Sequence, residues 1–296
     1  MDTKLQTFIE VTKTKNLTKA AEYLNLTQPA VSQHIKQLQQ EYDVILFTRK
    51  KNNELILTRE GEVVLKYALR IQSLYANLAS KITDAKKYGR NLTVGITHTS
   101  ESNVAPEILA QYSSENNSSH IKIISDSIKN LYDKLLDYQI DFAIIEGKVT
   151  NRKLSSVLLG TDSLVVVVNP LNPIAQKKIV TIEDLKKQRL ILRTLESGTA
   201  TLFLSELAKR DTAIDQFNIY LEIDSVASIK QLIRKNLGIS ILPRSACFRE
   251  AKEKTLVCLP IEDMDLSRET NLVFLKENVD REALEQIVSI YRNRIY

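Results

Sequence analysis

Few residues in this chain are equipped for bond-making chemistry. There are two cysteines and three histidines. Cys247 and Cys258 form no CxxC pair, so neither a zinc site nor a disulfide framework is expected, and both read as small core residues. His34, His98 and His120 stand singly, without the spacing of metal ligands. The sequence contains no Gly-x-Ser-x-Gly elbow, no P-loop and no glycine-rich dinucleotide fingerprint. It assigns no catalytic residue, no metal and no cofactor, and the chain is expected not to be an enzyme.

The remaining polar chemistry is suited to binding. Two hydroxyl-rich stretches follow short β-branched segments: Thr97-His98-Thr99-Ser100-Glu101-Ser102 after residues 92–96, and Arg193-Thr194-Leu195-Glu196-Ser197-Gly198-Thr199 after residues 190–192. Ligands of open α/β sheets bind beyond the carboxyl ends of strands, where helix N-termini offer free amides. Thr97, Thr99, Ser100, Ser197 and Thr199 are therefore the candidate residues for a small polar molecule. Ordinary helix capping is the alternative role for each.

A second set of polar residues lies near the N-terminus. Val31, Ile35 and Leu38 repeat at i, i+4 and i+7, which leaves Gln28, Ser32, Gln33, Lys36 and Gln37 off the buried stripe of one helix. Glutamine and serine suit base edges in a major groove, and Lys36 suits a phosphate. Pro29 fits the first turn, where a missing amide costs little. Arg49-Lys50-Lys51-Asn52-Asn53-Glu54 reads as the basic tip of a hairpin between residues 45–48 and 55–57, placed for backbone phosphates.

These residues need elements to hold them. Leu5, Phe8 and Ile9 mark a first helix, and a second starts at Thr18, read as its N-cap, burying Ala20, Ala21 and Leu24. The two alanines let crossed helices approach closely. Thr27 caps the third. From Arg59 to about Tyr88 there is no proline, and Ile71, Leu74, Leu78 and Ile82 recur every three or four residues. That is one helix of roughly 45 Å at 1.5 Å per residue, whose apolar stripe seeks a partner helix. Beyond Gly89, short β-branched runs alternate with amphipathic stretches at 92–96, 121–125, 142–145, 164–168, 190–192, 219–223, 239–242 and 271–275. This pattern predicts α/β architecture with crossover helices, arranged as two lobes.

The composition agrees with several packed cores. The chain has 296 residues, 43% hydrophobic and 26% charged, too long for one ordinary domain. A net charge of +5 suits a polyanionic partner without proving one. The N-terminus lacks the pattern of a signal peptide, and no apolar run reaches the roughly 18 residues of a membrane helix. A cytoplasmic location and no membrane association are expected.

The run LTKAAEYLNLTQPAVSQHIKQL over residues 17–38, followed by Leu46-Phe47-Thr48-Arg49 and Leu57-Thr58-Arg59-Glu60-Gly61, closely resembles the LysR-type transcriptional regulators. It departs from their pattern at Gln39, where Glu is usual, and at Asp43, where Gly is usual. Weaker matches at Asn169-Pro170-Leu171-Asn172-Pro173-Ile174-Ala175, Ser197-Gly198-Thr199 and Gly238-Ile239-Ser240-Ile241-Leu242-Pro243 extend the resemblance over the whole chain. It implies a winged helix-turn-helix (1–58), a dimerisation linker helix (59–88), and a two-lobed effector domain like periplasmic binding proteins (89–296). Lobe one would span about 89–161 plus 268–296, and lobe two about 162–267.

The resemblance also implies partners and roles. Double-stranded DNA would be met by Thr18, Gln28, Pro29, Ser32, Gln33, Lys36, Arg49, Lys50 and Lys51. A small-molecule effector would sit between the lobes, the chain would associate as a dimer or tetramer, and effector binding would alter contact with RNA polymerase. Thr97-His98-Thr99 is locally similar to regulators of cysteine biosynthesis. Relatives that bind acids often carry Arg where Ala200 stands. By class, a hydrolase, a transport-type binding protein and an architectural DNA-binding protein are the competing readings.

Overall fold

A computed structural model describes residues 1–50, 54–87, 90–116 and 119–295. The chain divides into two compact units, residues 1–88 with 137–139, and residues 89–136 with 140–296.

In the first unit, α1 (Thr3–Thr14), α2 (Leu17–Leu24) and α3 (Gln28–Tyr42) precede the antiparallel ribbon of β1 (Phe47–Arg49) and β2 (Leu55–Leu57), and α4 (Arg59–Lys87) follows. Phe8, Ile9, Val11, Ala20, Ala21, Val31, Leu38 and Leu46 form the centre of its core. Phe8 is fully buried, and its ring lies 5.4 Å from that of Phe47. Ala20 and Ala21 are both buried, consistent with close packing of α1, α2 and α3, while Leu24 is only half-buried.

The cap of α2 differs from the sequence reading. Asn16, not Thr18, is the N-cap: its side-chain oxygen accepts from the amides of Thr18 at 2.8 Å and Lys19 at 3.1 Å. Asparagine just before Leu17 reaches two free amides of the first turn, so the helix begins two residues earlier than a Thr18 cap would give and Thr18 falls inside it. Thr27 does cap α3, accepting from the Ala30 amide at 3.3 Å. Asp43 ends that helix in the left-handed conformation at φ 51°, which aspartate tolerates better than most residues. The Gln39 side-chain oxygen accepts from the Leu46 amide at 2.9 Å and so secures the turn into β1.

Gly61, in the first turn of α4, is required by space. A Cβ there would lie 2.3 Å from the Leu46 carbonyl oxygen and 2.9 Å from Leu57. The Leu-Thr-x-x-Gly pattern thus lets α4 dock on the chain entering β1.

The second unit runs β3 (Asn91–Thr97), α5 (Ala105–Glu115), β4 (His120–Asp126), α6 (Ile128–Leu136), β5 (Phe142–Glu146), β6 (Leu154–Val168), α7 (Ile182–Lys186), β7 (Arg189–Leu192), α8 (Gly198–Ala208), β8 (Asn218–Glu222), α9 (Val226–Arg234), β9 (Ser240–Pro243), α10 (Phe248–Lys252), β10 (Val257–Leu259), β11 (Ser267–Leu275) and α11 (Arg281–Ile295). The main sheet has the order β10-β6-β11-β5-β3-β4, with β9 also on β6, and β7 pairs with β8. β3, β4 and β5 are parallel, so Thr97, Asp126 and Glu146 end at one edge.

One core gathers Val94, Ile96, Ile108, Phe142, Ile144 and Leu272 with residues of α11, and a second gathers Val166, Leu190, Phe203, Ile239 and Ile241. β6 runs through both regions. Its first part pairs with β11 and its last part with β9 and β10. Only the segment 164–168 of β6 is legible as a strand, because residues 154–163 form a sheet edge with a mixed burial pattern. β10, with only three residues, is likewise not expected from the sequence.

In α8, Glu206 is buried, bonded to Lys209 and to Arg210 Nη1 at 2.8 Å. The Lys209 bond, reinforced by Arg210, holds its carboxyl below the usual range. A depressed folded-state pKa contributes stability above the unfolded value and loses it as pH falls through the folded one. Glu206→Gln should therefore flatten the acid-side fall in melting temperature of this unit. Unchanged slope in a melting series from neutral to acid pH would refute that contribution.

Candidate DNA-binding surface and ligand cleft

On α3, Val31, Ile35 and Leu38 point inward and leave Gln28, Pro29, Ser32, Gln33 and Lys36 all exposed. This is a polar helix face beginning at a capped N-terminus, the geometry that lets a second helix of a helix-turn-helix present side chains to base edges. Thr18, Arg49 and Lys50 are exposed as well. Thr18, Gln28 and Arg49 line one hollow of about 500 Å³ together with Lys15, Asn16 and Lys19. The fold thus brings the start of α2, the start of α3 and the strand β1 to one basic depression. At its side, Glu54 pairs with Lys15 at 3.1 Å and lies 4.0 Å from Lys50. Lys51 lies outside the described residues.

Along α4, Tyr67, Leu74, Tyr75, Leu78 and Ile82 are exposed. So many large apolar side chains on one helix exceed the scattered exposure of an ordinary surface.

The second unit holds a cleft of about 1300 Å³ at the common edge of β3, β4 and β5. Thr97, Thr99 and Ser197 line it, whereas Ser100 and Thr199 do not. Both of these are almost completely buried: Ser100 sits against Glu146, and the Thr199 hydroxyl has no hydrogen-bond partner. Ser197 caps α8, accepting from the Ala200 amide at 3.1 Å. The serine therefore serves the helix first and faces the cleft second.

The sequence reading missed the charged residues that organise this cleft. Glu146, ending β5, accepts from the Thr97 hydroxyl and the Ser100 hydroxyl, each at 2.6 Å. Arg193, at the end of β7, donates from Nη1 to Thr99 at 3.2 Å and from Nη2 to Asp224 at 2.6 Å. The Arg193–Thr99 bond joins the segment after β3 to the segment after β7 across the cleft. Arg268 of β11 lies 3.6 Å from Asp162 of β6, its partner in strand register, at the strands passing between the two cores. The rule that ligands gather at carboxyl ends of strands points to Glu146 as directly as to Thr97, because β3 and β5 are parallel neighbours. The strand at 142–145 was legible, and only its last residue was overlooked.

Two family models account for nearly the whole chain. The bacterial regulatory helix-turn-helix protein model of the lysR family matches residues 3–62, and the LysR substrate binding domain model matches residues 86–295. The chain belongs to the LysR family. It is a LysR-type transcription regulator with an N-terminal helix-turn-helix and a two-lobed C-terminal domain. It is 28% identical over 275 residues to a probable RuBisCO transcriptional regulator of Phaeodactylum tricornutum, covering 92% of this chain and 89% of that protein. It is 25% identical to the regulator CysL of Bacillus subtilis, with 95% and 93% covered. Among solved structures, full-length CbnR in complex with its target DNA superposes with a TM-score of 0.74 over 99% of both chains, at 19% identity. That likeness establishes the shared fold of the LysR-type regulators. Among the described residues, no helix is long and apolar enough to cross a membrane.

Proposed function

We propose that this LysR-type regulator reads a two-part DNA site as a dimer or tetramer and changes its activity when a small molecule enters the cleft lined by Thr97, Thr99 and Ser197. Exposed Gln28, Ser32 and Gln33 contact base edges, with Pro29 shaping the helix start. Thr18, Lys36, Arg49, Lys50 and Lys51 contact phosphates. The exposed apolar residues of α4 pair two copies, which fixes the spacing of the half-sites. Ser100 and Thr199 act behind the cleft wall rather than on it. Ligand binding favours one arrangement of the two lobes over another and so alters contact with RNA polymerase. A ligand shifts that equilibrium only by its difference in affinity for the two arrangements.

The cleft itself carries this reading. It is large enough for a metabolite, it opens at the ends of three parallel strands, and its walls hold buried charged and hydroxyl side chains. The test is a melting series with the low-molecular-mass fraction of a cell extract, comparing wild type with Thr201→Trp. Thr201 is exposed on the cleft wall, so the indole fills space without displacing core. Protection of wild type and not of the variant is expected. Equal protection of both would contradict a ligand in this cleft.

For DNA, Lys36→Ala should weaken binding to all sequences alike and lower the salt slope, d log K/d log[salt], by about 0.9. A gel-shift titration at several salt concentrations reads both. An unchanged slope would remove Lys36 from the phosphate contacts.

A further inference from the structure

Glu146 and Arg193 give the cleft two chemically different ends. The Glu146 carboxylate is only 6% exposed, yet it lines the cleft. Its two bonds come from the hydroxyls of Thr97 and Ser100, and among the described residues no lysine or arginine lies within salt-bridge distance of it. A buried carboxylate without a cation is costly, and neutral hydroxyls compensate it only in part. Those two hydroxyls also spend their protons on Glu146. Toward the cleft, this end offers carboxylate and hydroxyl oxygens as acceptors.

Arg193 stands opposite in character. It is 3% exposed and lines the cleft; its Nη2 pairs with Asp224 at 2.6 Å, and its Nε has no hydrogen-bond partner. The guanidinium precedes the N-terminus of α8, an 11-residue helix whose first amides and dipole favour negative charge. Glu146 bonds Thr97 and Arg193 bonds Thr99. These residues are two steps apart, at most about 7 Å between Cα atoms. Glu146 and Arg193 both line the one cleft of about 1300 Å³.

We propose that the ligand is a small zwitterion carrying an ammonium and a carboxylate, of the class of α-amino acids and their simple derivatives. Its ammonium is held by Glu146 and its carboxylate by Arg193 with the α8 N-terminus. The inference rests on the cleft being the ligand site. It explains why the Thr97 and Ser100 hydroxyls are not free donors for an acid: Glu146 already occupies them. A simple carboxylic acid would meet a second carboxylate at that end and be repelled.

The experiment is a melting and calorimetric titration of the full chain with each of the twenty L-amino acids. Any responder is compared with its matched amine and its matched carboxylate, which for alanine are ethylamine and propionate. At least one amino acid should bind, with both truncated counterparts at least about tenfold weaker, the size of one charged hydrogen bond. Glu146→Gln should lose about tenfold toward the amino acid, while Glu146→Asp, which keeps the carboxylate, retains most of the affinity. Melting of each variant without additive reports whether it folds. Equal binding of a carboxylate lacking the ammonium, unchanged affinity in Glu146→Gln, or no response to any amino acid would overturn the zwitterion. If the extract fraction still protects wild type and not Thr201→Trp, the cleft remains the site and only the ligand class falls. If both are protected alike, the cleft falls with it.

Discussion

Phe8→Ala is expected to remove about 3–5 kcal/mol from the stability of the N-terminal unit and with it specific DNA binding. Phe8 is fully buried at the meeting of α1, α3 and β1, in contact with the ring of Phe47. The cost combines lost transfer of a phenyl group with the cavity left among residues that relax only partly. A unit of this size buries a small core, and native stabilities are of the order of 5–15 kcal/mol, so the loss is a large share of the total. The C-terminal unit has cores of its own and should keep its melting transition. Calorimetry and a gel shift on one preparation read both effects. A variant that binds specific DNA at wild-type affinity would show that this core does not support the reading helix.

The second large effect is expected at the exposed face of α3. Gln28→Ala and Ser32→Ala should each relax base preference by about 1–3 kcal/mol, because a lost direct bond to a base edge removes discrimination and not only affinity. Neither side chain is part of the core, so stability should change little. Competition between the selected site and single-base variants measures the preference. Unchanged preference in both variants would place sequence reading elsewhere.

The sequence carried the helix-turn-helix almost completely, since each of its features has a local physical cause. Ala20 and Ala21 announce a tight crossing, and Thr27 and Pro29 a helix start, and these appear as read. The misplaced cap arose because Asn16 and Thr18 are both good capping residues. Only the backbone shows that Asn16 is extended, with φ −151°, while Thr18 is already helical. The need for Gly61 was visible as a motif, but the Leu46 carbonyl that enforces it is a contact across the fold.

The cleft of the C-terminal unit was legible in outline and not in chemistry. Thr97 and Thr99 follow a readable strand, so local pattern finds them. That Thr97 answers Glu146 depends on the parallel pairing of β3 with β5, a relation across nearly fifty residues that no local spacing encodes. Arg193 was passed over beside a run of hydroxyls, although its bond to Thr99 ties the two cleft segments together. Periodicity finds faces and hydroxyl runs, but charge pairing between distant strand ends requires topology.

The measurement that tests the central claim most directly is selection of binding sites from genomic DNA fragments by the purified chain, verified by gel shift at two salt concentrations. Enrichment of a two-part, roughly symmetric site, bound specifically at the higher salt, is the expected result. Uniform binding without sequence enrichment, falling away with salt, would contradict it and leave an architectural DNA-binding protein in its place.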